Sequence, residues 1–308
     1  MKADSGFSFW THMELGRRRT QEDAFAIFVG NGRSLFAISD GMGGYGSGDI
    51  ASTAVLAGMQ DHIEAIERAA ADDMAGVLTE DKEPAGACQF FVSDRDMIDF
   101  APVDAALELS RAARRGECIT PLLAQHILIS AAEAGIRNLR RHPQTEINPN
   151  MGCTLSAVWC YGPGVAAWVH VGDSRIYRLP HDKDQALQIN KNQAHDPPHQ
   201  NVLTRAVSAR GKTIIWDEES AGHLAYESGD VLVLCTDGVH GLIDPHRFVA
   251  MDKIKDKGWE HFHDLAPGQF LGNYIRSGPI EFAARGIVQY AIDKGGTDNA
   301  TAIVVVVP

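Results

Sequence analysis

Apolar residues along this chain follow two periods. At 25–29 and 34–39 they form nearly continuous β-branched or aromatic runs, with Asn31-Gly32 between them, which predicts a hairpin. From 49 to 70 the spacing changes to three and four. Ala51, Val55, Met59, Ile63 and Ile66 then share one face, predicting an amphipathic helix. Leu122, Ile129, Ala132, Ile136 and Leu139 predict a second helix, opened by Thr120-Pro121 and closed near Pro143. The period then shortens again. Residues 153–161, 165–171 and 175–179 are β-rich, are separated by Gly162-Pro163-Gly164 and Gly172-Asp173-Ser174, and read as an antiparallel meander. Further strands are expected at 202–207, 213–216 and 230–236. A late helix carries Ile280, Ala284, Ile287 and Ala291 between Pro279 and Gly295-Gly296, and 300–307 is apolar enough for a strand buried on both faces. Hairpins with helices grouped between them favour an antiparallel, layered α+β fold over a doubly wound parallel sheet. Residues 72–120 break the pattern, with Glu80-Asp81-Lys82-Glu83-Pro84 in their midst, and read as an insertion or lid, or as another helical cover.

Charge narrows the function classes. Forty acids against 28 bases give −12, which argues against general nucleic-acid binding and against a polybasic membrane patch. No apolar run approaches the ~18 residues of a membrane span, and Met1 to Trp10 lacks the layout of a signal peptide. Cys88, Cys118, Cys153, Cys160 and Cys235 show no paired spacing. Three of them lie in strand-like stretches, as buried thiols in a reducing, cytoplasmic setting would.

Position singles out certain acids. Asp40-Gly41, Gly172-Asp173, Asp237-Gly238 and Asp298-Asn299 each join an apolar strand to a glycine-containing or polar turn, and Glu22-Asp23 precedes the first predicted strand. Strand ends let side chains converge in one cleft. Carboxylates gathered there repel one another unless a cation compensates, and hard oxygen donors suit Mg²⁺ or Mn²⁺. Taken singly, each Asp-Gly is equally ordinary turn chemistry. Zinc is disfavoured by the absence of C-x-x-C and H-E-x-x-H. Arg17, Arg18 and Arg19 lie just upstream, where a guanidinium could hold a phosphate in a fork of hydrogen bonds.

In order along the chain stand R-R-T-Q-E-D (18–23 with Arg18 first), D-G-M-G-G (40–44), G-C-T-L (152–155), G-D-S-R (172–175), N-V-L-T-R-A (201–206), Asp237-Gly238 and G-T-D-N (296–299). This series resembles the motifs of the metal-dependent protein phosphatases, the type 2C serine/threonine family, over about residues 12–307. Met42 resembles the bacterial branch. The resemblance implies a four-layer αββα sandwich, two antiparallel sheets flanked by helices, forming one catalytic domain over 1–308 with 72–120 as an insertion. It also implies two ions, Mn²⁺ or Mg²⁺, with a third, weaker position. Asp40 would bridge the two ions, the Gly41 carbonyl would bind one, and Asp237 and Asp298 would complete the ligands. Asp173 would pair with Asp237 at the third position, Glu22 and Asp23 would act through bound waters, and Arg18 would bind phosphate. The implied reaction is hydrolysis of phosphoserine and phosphothreonine in proteins modified by a serine/threonine kinase, by direct attack of a metal-bridging water or hydroxide.

The pattern also has departures. Met42 cannot protonate a leaving group as the histidine of animal members can, and His240 reads first as structural. His195-Asp196-Pro197-Pro198 runs almost directly into Asn201, implying a shortened, proline-stiffened flap. The stretch from Phe90-Phe91 to Phe100 is expected either to contact a partner or to form extra packing. Two alternatives stand beside the phosphatase reading. One is a metal-free regulatory binding module, against which the intact set of aspartates argues. The other is a phosphohydrolase acting on small molecules.

Overall fold

The helix and strand propensities resolve into twelve strands and seven α-helices among the described residues of a computed structural model, which are 6–30, 33–42, 47–75, 102–195, 202–243 and 267–308. One sheet has the order β1 (Ser8–Glu14), β12 (Ala300–Val306), β11 (Val231–Cys235), β7 (Arg175–Leu179), β8 (Leu187–Gln188). The other runs β10 (Ala221–Ala225), β6 (Val165–Val171), β5 (Leu155–Gly162), β3 (Arg33–Met42), β4 (Gly152–Cys153), β9 (Val207–Ser208), with β2 (Asp23–Gly30) also on β3. Every ladder is antiparallel.

Strand alternation builds three apolar layers. On β12, Ile303 and Val305 face the layer between the sheets, while Ala300, Ala302 and Val304 face an outer layer. That period-2 split is why 300–307 reads as apolar on both faces, Thr301 apart. On β5, Val158 and Cys160 point between the sheets, while Leu155, Ala157 and Trp159 point to the opposite outer layer. Helices α1 (Gly48–Met74) and α3 (Pro121–Arg141) cover the larger sheet, and α2 (Pro102–Arg114) packs on α1. The smaller sheet is covered by α5 (Asp237–Ile243), α6 (Pro267–Arg276) and α7 (Ala283–Asp293). The short α4 (Gln144–Ile147) follows α3. The expected two-sheet sandwich between helical layers is present. Thr120 caps α3 as expected, its hydroxyl accepting from the Leu123 N–H at 3.3 Å. No described helix is long and apolar enough to cross a membrane.

Three local expectations are corrected, and one of the two readings of 72–120 is met in part. The 175–179 strand does not continue a meander. Gly172, at φ +110°, turns the chain across to the other sheet, where β7 pairs with β11. Residues 213–216 form no strand despite their β-branched content. Ile214 and Trp216 pack against the helix-side core, and Trp216 Nε1 donates to Glu133 Oε1 at 2.8 Å, so side chains rather than a ladder hold the segment. Residues 202–207 reduce to a bridge at Leu203 and the two-residue β9. Within 72–120, α1 continues to Met74, and α2 lies on it as a helical cover, with Ser110 Oγ bonding the Asp73 carboxylate and Arg114 donating to the Asp73 carbonyl at 2.6 Å. Residues 76–101, including Phe90, Phe91 and Phe100, lie outside the described residues, as do Gly43, Gly44 and the flap positions 196–201.

Candidate active site

The β2–β3 register sets Asp23 directly opposite Asp40. Cross-strand partners share a face with Cα atoms about 5 Å apart, so two carboxylates meet at the sheet end, where like charges cost stability. The Asp40 backbone is pinned from the next strand: its N–H donates to Thr154 Oγ1 at 2.9 Å, and its carbonyl accepts from the Thr154 N–H at 2.8 Å. Gly41 follows, and its N–H donates to the Glu22 carbonyl at 3.0 Å. A Cβ there would lie 2.1 Å from the Gly48 carbonyl oxygen, so only glycine lets α1 start against the strand. Glu22 accepts from the Gly48 N–H through its carboxylate, and its own N–H donates to Asn299 Oδ1 at 2.8 Å.

The second sheet supplies the remaining acids. Cys235 pairs with Arg175 at the last rung of β11–β7. Two residues beyond that rung stand Asp237, the first residue of α5, and Asp173 in the crossing turn, both close enough to raise the Asp40 carboxyl. Asp298 precedes β12, and its Oδ2 accepts from Arg18 Nη2 at 2.6 Å in an exposed ion pair. The Arg17 N–H donates to the Thr297 carbonyl at 3.1 Å, tying this arginine-bearing turn to the same loop. Asp23 joins the two sheets: its Oδ2 accepts from Thr236 Oγ1 at 2.8 Å and Thr301 Oγ1 at 2.6 Å.

Electrostatics shows which acids share the site. Burial raises the Asp40 carboxyl well above its ordinary range, reinforced by the charges of Asp23, Asp237, Asp173 and Asp298. Residue Asp40 keeps some accessible surface at the strand end, but protein packs round its carboxyl group. Burial pushes Asp23 up to about 7 against the two threonine hydrogen bonds, with Asp237 and Asp298 adding to the rise. Glu22 is raised by burial and by Asp49 and Asp298, and is held back by the Gly48 N–H and Arg18. The ion pair with Asp298 raises Arg18. Cys153 and Cys235 lie in the core, pushed up to about 12 by burial, and are not nucleophiles.

Glu22, Asp23, Asp40, Asp173, Asp237, Asp298 and Arg18 therefore meet at one end of the sandwich. As they stand, no three His, Cys, Asp or Glu side chains among the described residues close around a metal position. Uncompensated carboxylates repel one another, and Asp298 is occupied by Arg18. The donor set still fits a hard divalent cation: oxygen ligands predominate, and Asp23 Oδ1 is buried with no hydrogen-bond partner among the described residues. Three contributors were not singled out from sequence. Thr236 and Thr301 hold Asp23, and the signal for Thr301 was a hydroxyl within an otherwise apolar strand. Asp49, in the first turn of α1, raises Glu22, and its Oδ1 is buried without a hydrogen-bond partner among the described residues.

Known proteins resemble this chain in sequence and in fold. PstP, a serine/threonine protein phosphatase of Mycobacterium tuberculosis, is 26% identical over 309 residues, covering 94% of this chain and 42% of PstP. The chain thus spans less than half the length of that relative. Protein phosphatase PhpP of Streptococcus pneumoniae is 22% identical over 95% of this chain and 94% of its own. The crystal structure of the PstP catalytic domain in complex with two manganese ions superposes with a TM-score of 0.57, at 20% identity and 97% coverage of both chains, a likeness of fold. The family model described as Protein phosphatase 2C matches residues 13–265, and with most of its length so matched, this chain belongs to the protein phosphatase 2C family.

Proposed function

We propose that this protein is a divalent-metal-dependent serine/threonine phosphatase acting on phosphoproteins, with the six-acid cluster as its active site. The observation that carries the reading is the convergence of Asp23 and Asp40 from one sheet with Asp173, Asp237 and Asp298 from the other, each raising the carboxyl of Asp40. A cluster of that charge is costly without cations, and PstP, a relative of the same fold, binds two manganese ions in its crystal structure. Asp40, the Gly41 carbonyl, Asp237 and Asp298 would hold two ions, Mn²⁺ or Mg²⁺. Asp173 would serve a third, and Glu22 and Asp23 would act through waters. When bound, such ions supply Lewis acidity and make water nucleophilic near neutral pH.

The chain's own groups do the rest. Arg18 exchanges its Asp298 partner for phosphate oxygens, to which its guanidinium offers parallel N–H donors. Asp23, gripped by two threonines, keeps its other oxygen buried without a hydrogen-bond partner among the described residues and ties β2 to the second sheet. His240 is no general acid for the leaving group: it is fully buried and bonded to the Asp173 carbonyl. Met42 carries no proton, so the leaving alkoxide takes one from water.

The reading further takes residues 1–308 as one catalytic domain with 72–120 inserted, in the cytoplasm, opposing a serine/threonine kinase. The test is release of phosphate from phosphoserine, phosphothreonine and phosphotyrosine peptides and from a nucleotide, with Mn²⁺ or with chelator. Metal-dependent turnover of the phosphoserine and phosphothreonine peptides is expected. Turnover of the nucleotide alone would identify a small-molecule phosphohydrolase, and no turnover with Mn²⁺ bound would identify a binding module.

A further inference from the structure

Asp173 and Asp237 come from different loops, and each lies two residues beyond the last β11–β7 rung, Cys235–Arg175. Two carboxylates so placed drive their loops apart, and Asp173 sits in a turn that has just left one sheet for the other. A histidine bridges these two loops. His240 lies one helical turn after Asp237 on α5, is fully buried, and places Nε2 2.9 Å from the Asp173 carbonyl oxygen. A carbonyl oxygen only accepts, so Nε2 carries the proton and donates. The neighbouring Ser174 Oγ lies 2.8 Å from Thr154 Oγ1, which also receives the Asp40 N–H. The Asp173-Ser174 turn is thereby held at two points, Ser174 by Thr154 and the Asp173 carbonyl by His240.

The geometry points to His240 as a positioning residue that fixes the spacing of Asp173 and Asp237, and so sets the affinity of the weaker ion between them. The inference rests on the metal reading of the site. The contact is made to the Asp173 backbone, so it persists whether or not the carboxylates are neutralised, and the pair is preorganised before any ion arrives. A hydrophobic residue in the same space would pack but leave the Asp173 carbonyl without its buried donor. A glutamine, of similar reach and with an N–H₂ donor, would restore it.

Two measurements on the full chain test this. In metal-free protein, ¹⁵N-labelled histidine should give a slowly exchanging imidazole N–H that vanishes in His240→Gln. Absence of that signal in the wild type overturns the contact, whatever the site binds. In calorimetric titration with Mn²⁺, His240→Leu should weaken the weakest ion by about five- to tenfold, the worth of one hydrogen bond. The tighter ions should change little, and His240→Gln should return most of the loss. On an Asp173→Asn background, His240→Leu should have no further effect. Equal weak-ion affinity in wild type and His240→Leu, loss of every ion together, or a full effect on the Asp173→Asn background overturns the positioning role. If His240→Leu does not fold, His240→Gln alone decides: affinity within about threefold of wild type supports the role, and a larger loss in the folded protein refutes donor rescue. Failure of the wild type to take up any Mn²⁺ would instead refute the metal reading, with the N–H signal unaffected.

Discussion

Asp23 and Asp40 are cross-strand neighbours, and their proximity makes opposite demands on stability and on activity. Asp40→Asn removes one of two facing charges, so in chelator the variant should melt at or above the wild-type temperature. The same change removes a proposed ligand to both ions and should lower hydrolysis of a small aryl phosphate in Mn²⁺ by at least about a hundredfold, as should Asp237→Asn. Wild-type turnover in either folded variant refutes the two-ion assignment. Arg18 lies at the rim, with half of its side chain exposed, and bonds Asp298 of the cluster. Arg18→Ala should therefore raise KM for phosphopeptides by about tenfold or more with a smaller change in kcat, since a charge-assisted pair to phosphate is lost. An unchanged KM counts against its phosphate role.

At the scale of the element, β12 and α1 show what a sequence reveals and what it withholds. Strand β12 was legible because both of its faces meet apolar layers, and helices α1, α3 and α7 were legible through spacing, with the Thr120-Pro121 start of α3. The crossing at Gly172 was not, because alternation in β7 looks the same whichever sheet receives it. Strand β10, Ala221–Ala225, carries no β-branched residue and exists by pairing with β6, while the β-branched 213–216 is held by Trp216 and pairs with nothing. At the site, the acids were legible as strand-end aspartates, but their supports depend on the partner sheet. Thr301 is the clearest case. Thr301→Val keeps the shape of β12 and leaves Asp23 one donor short, which should cost about 1.5–3 kcal/mol in urea unfolding where Asp23 is ionised. A loss under about 0.5 kcal/mol would mean the bond carries little of the inter-sheet register at this end.

Across the whole molecule, the acids couple stability to pH and to ions. Asp23 titrates near 7 in the folded chain against an ordinary value of 3.8. Between those values the folded state keeps a proton that the unfolded chain releases, so the group's stabilising contribution is full below 3.8 and is lost as pH rises through about 7. Asp40 is displaced in the same direction. Metal-free protein should therefore lose stability from pH 5 to pH 8, and Asp23→Asn should flatten the decline; an equally steep decline in that variant would assign it elsewhere. Saturating Mn²⁺ should raise the melting temperature by about 5 °C at a hundred times Kd, through preferential binding to the folded state. No shift would contradict ion binding at the cluster. The Arg18–Asp298 contact gives this coupling a direction in time. While Asp298 holds one N–H of the guanidinium, that donor is not offered to phosphate, and it comes free when Asp298 is engaged elsewhere. Order of addition then matters: phosphopeptide mixed first with metal-free protein should bind weakly and show a lag on adding Mn²⁺, whereas protein preloaded with Mn²⁺ should react without one.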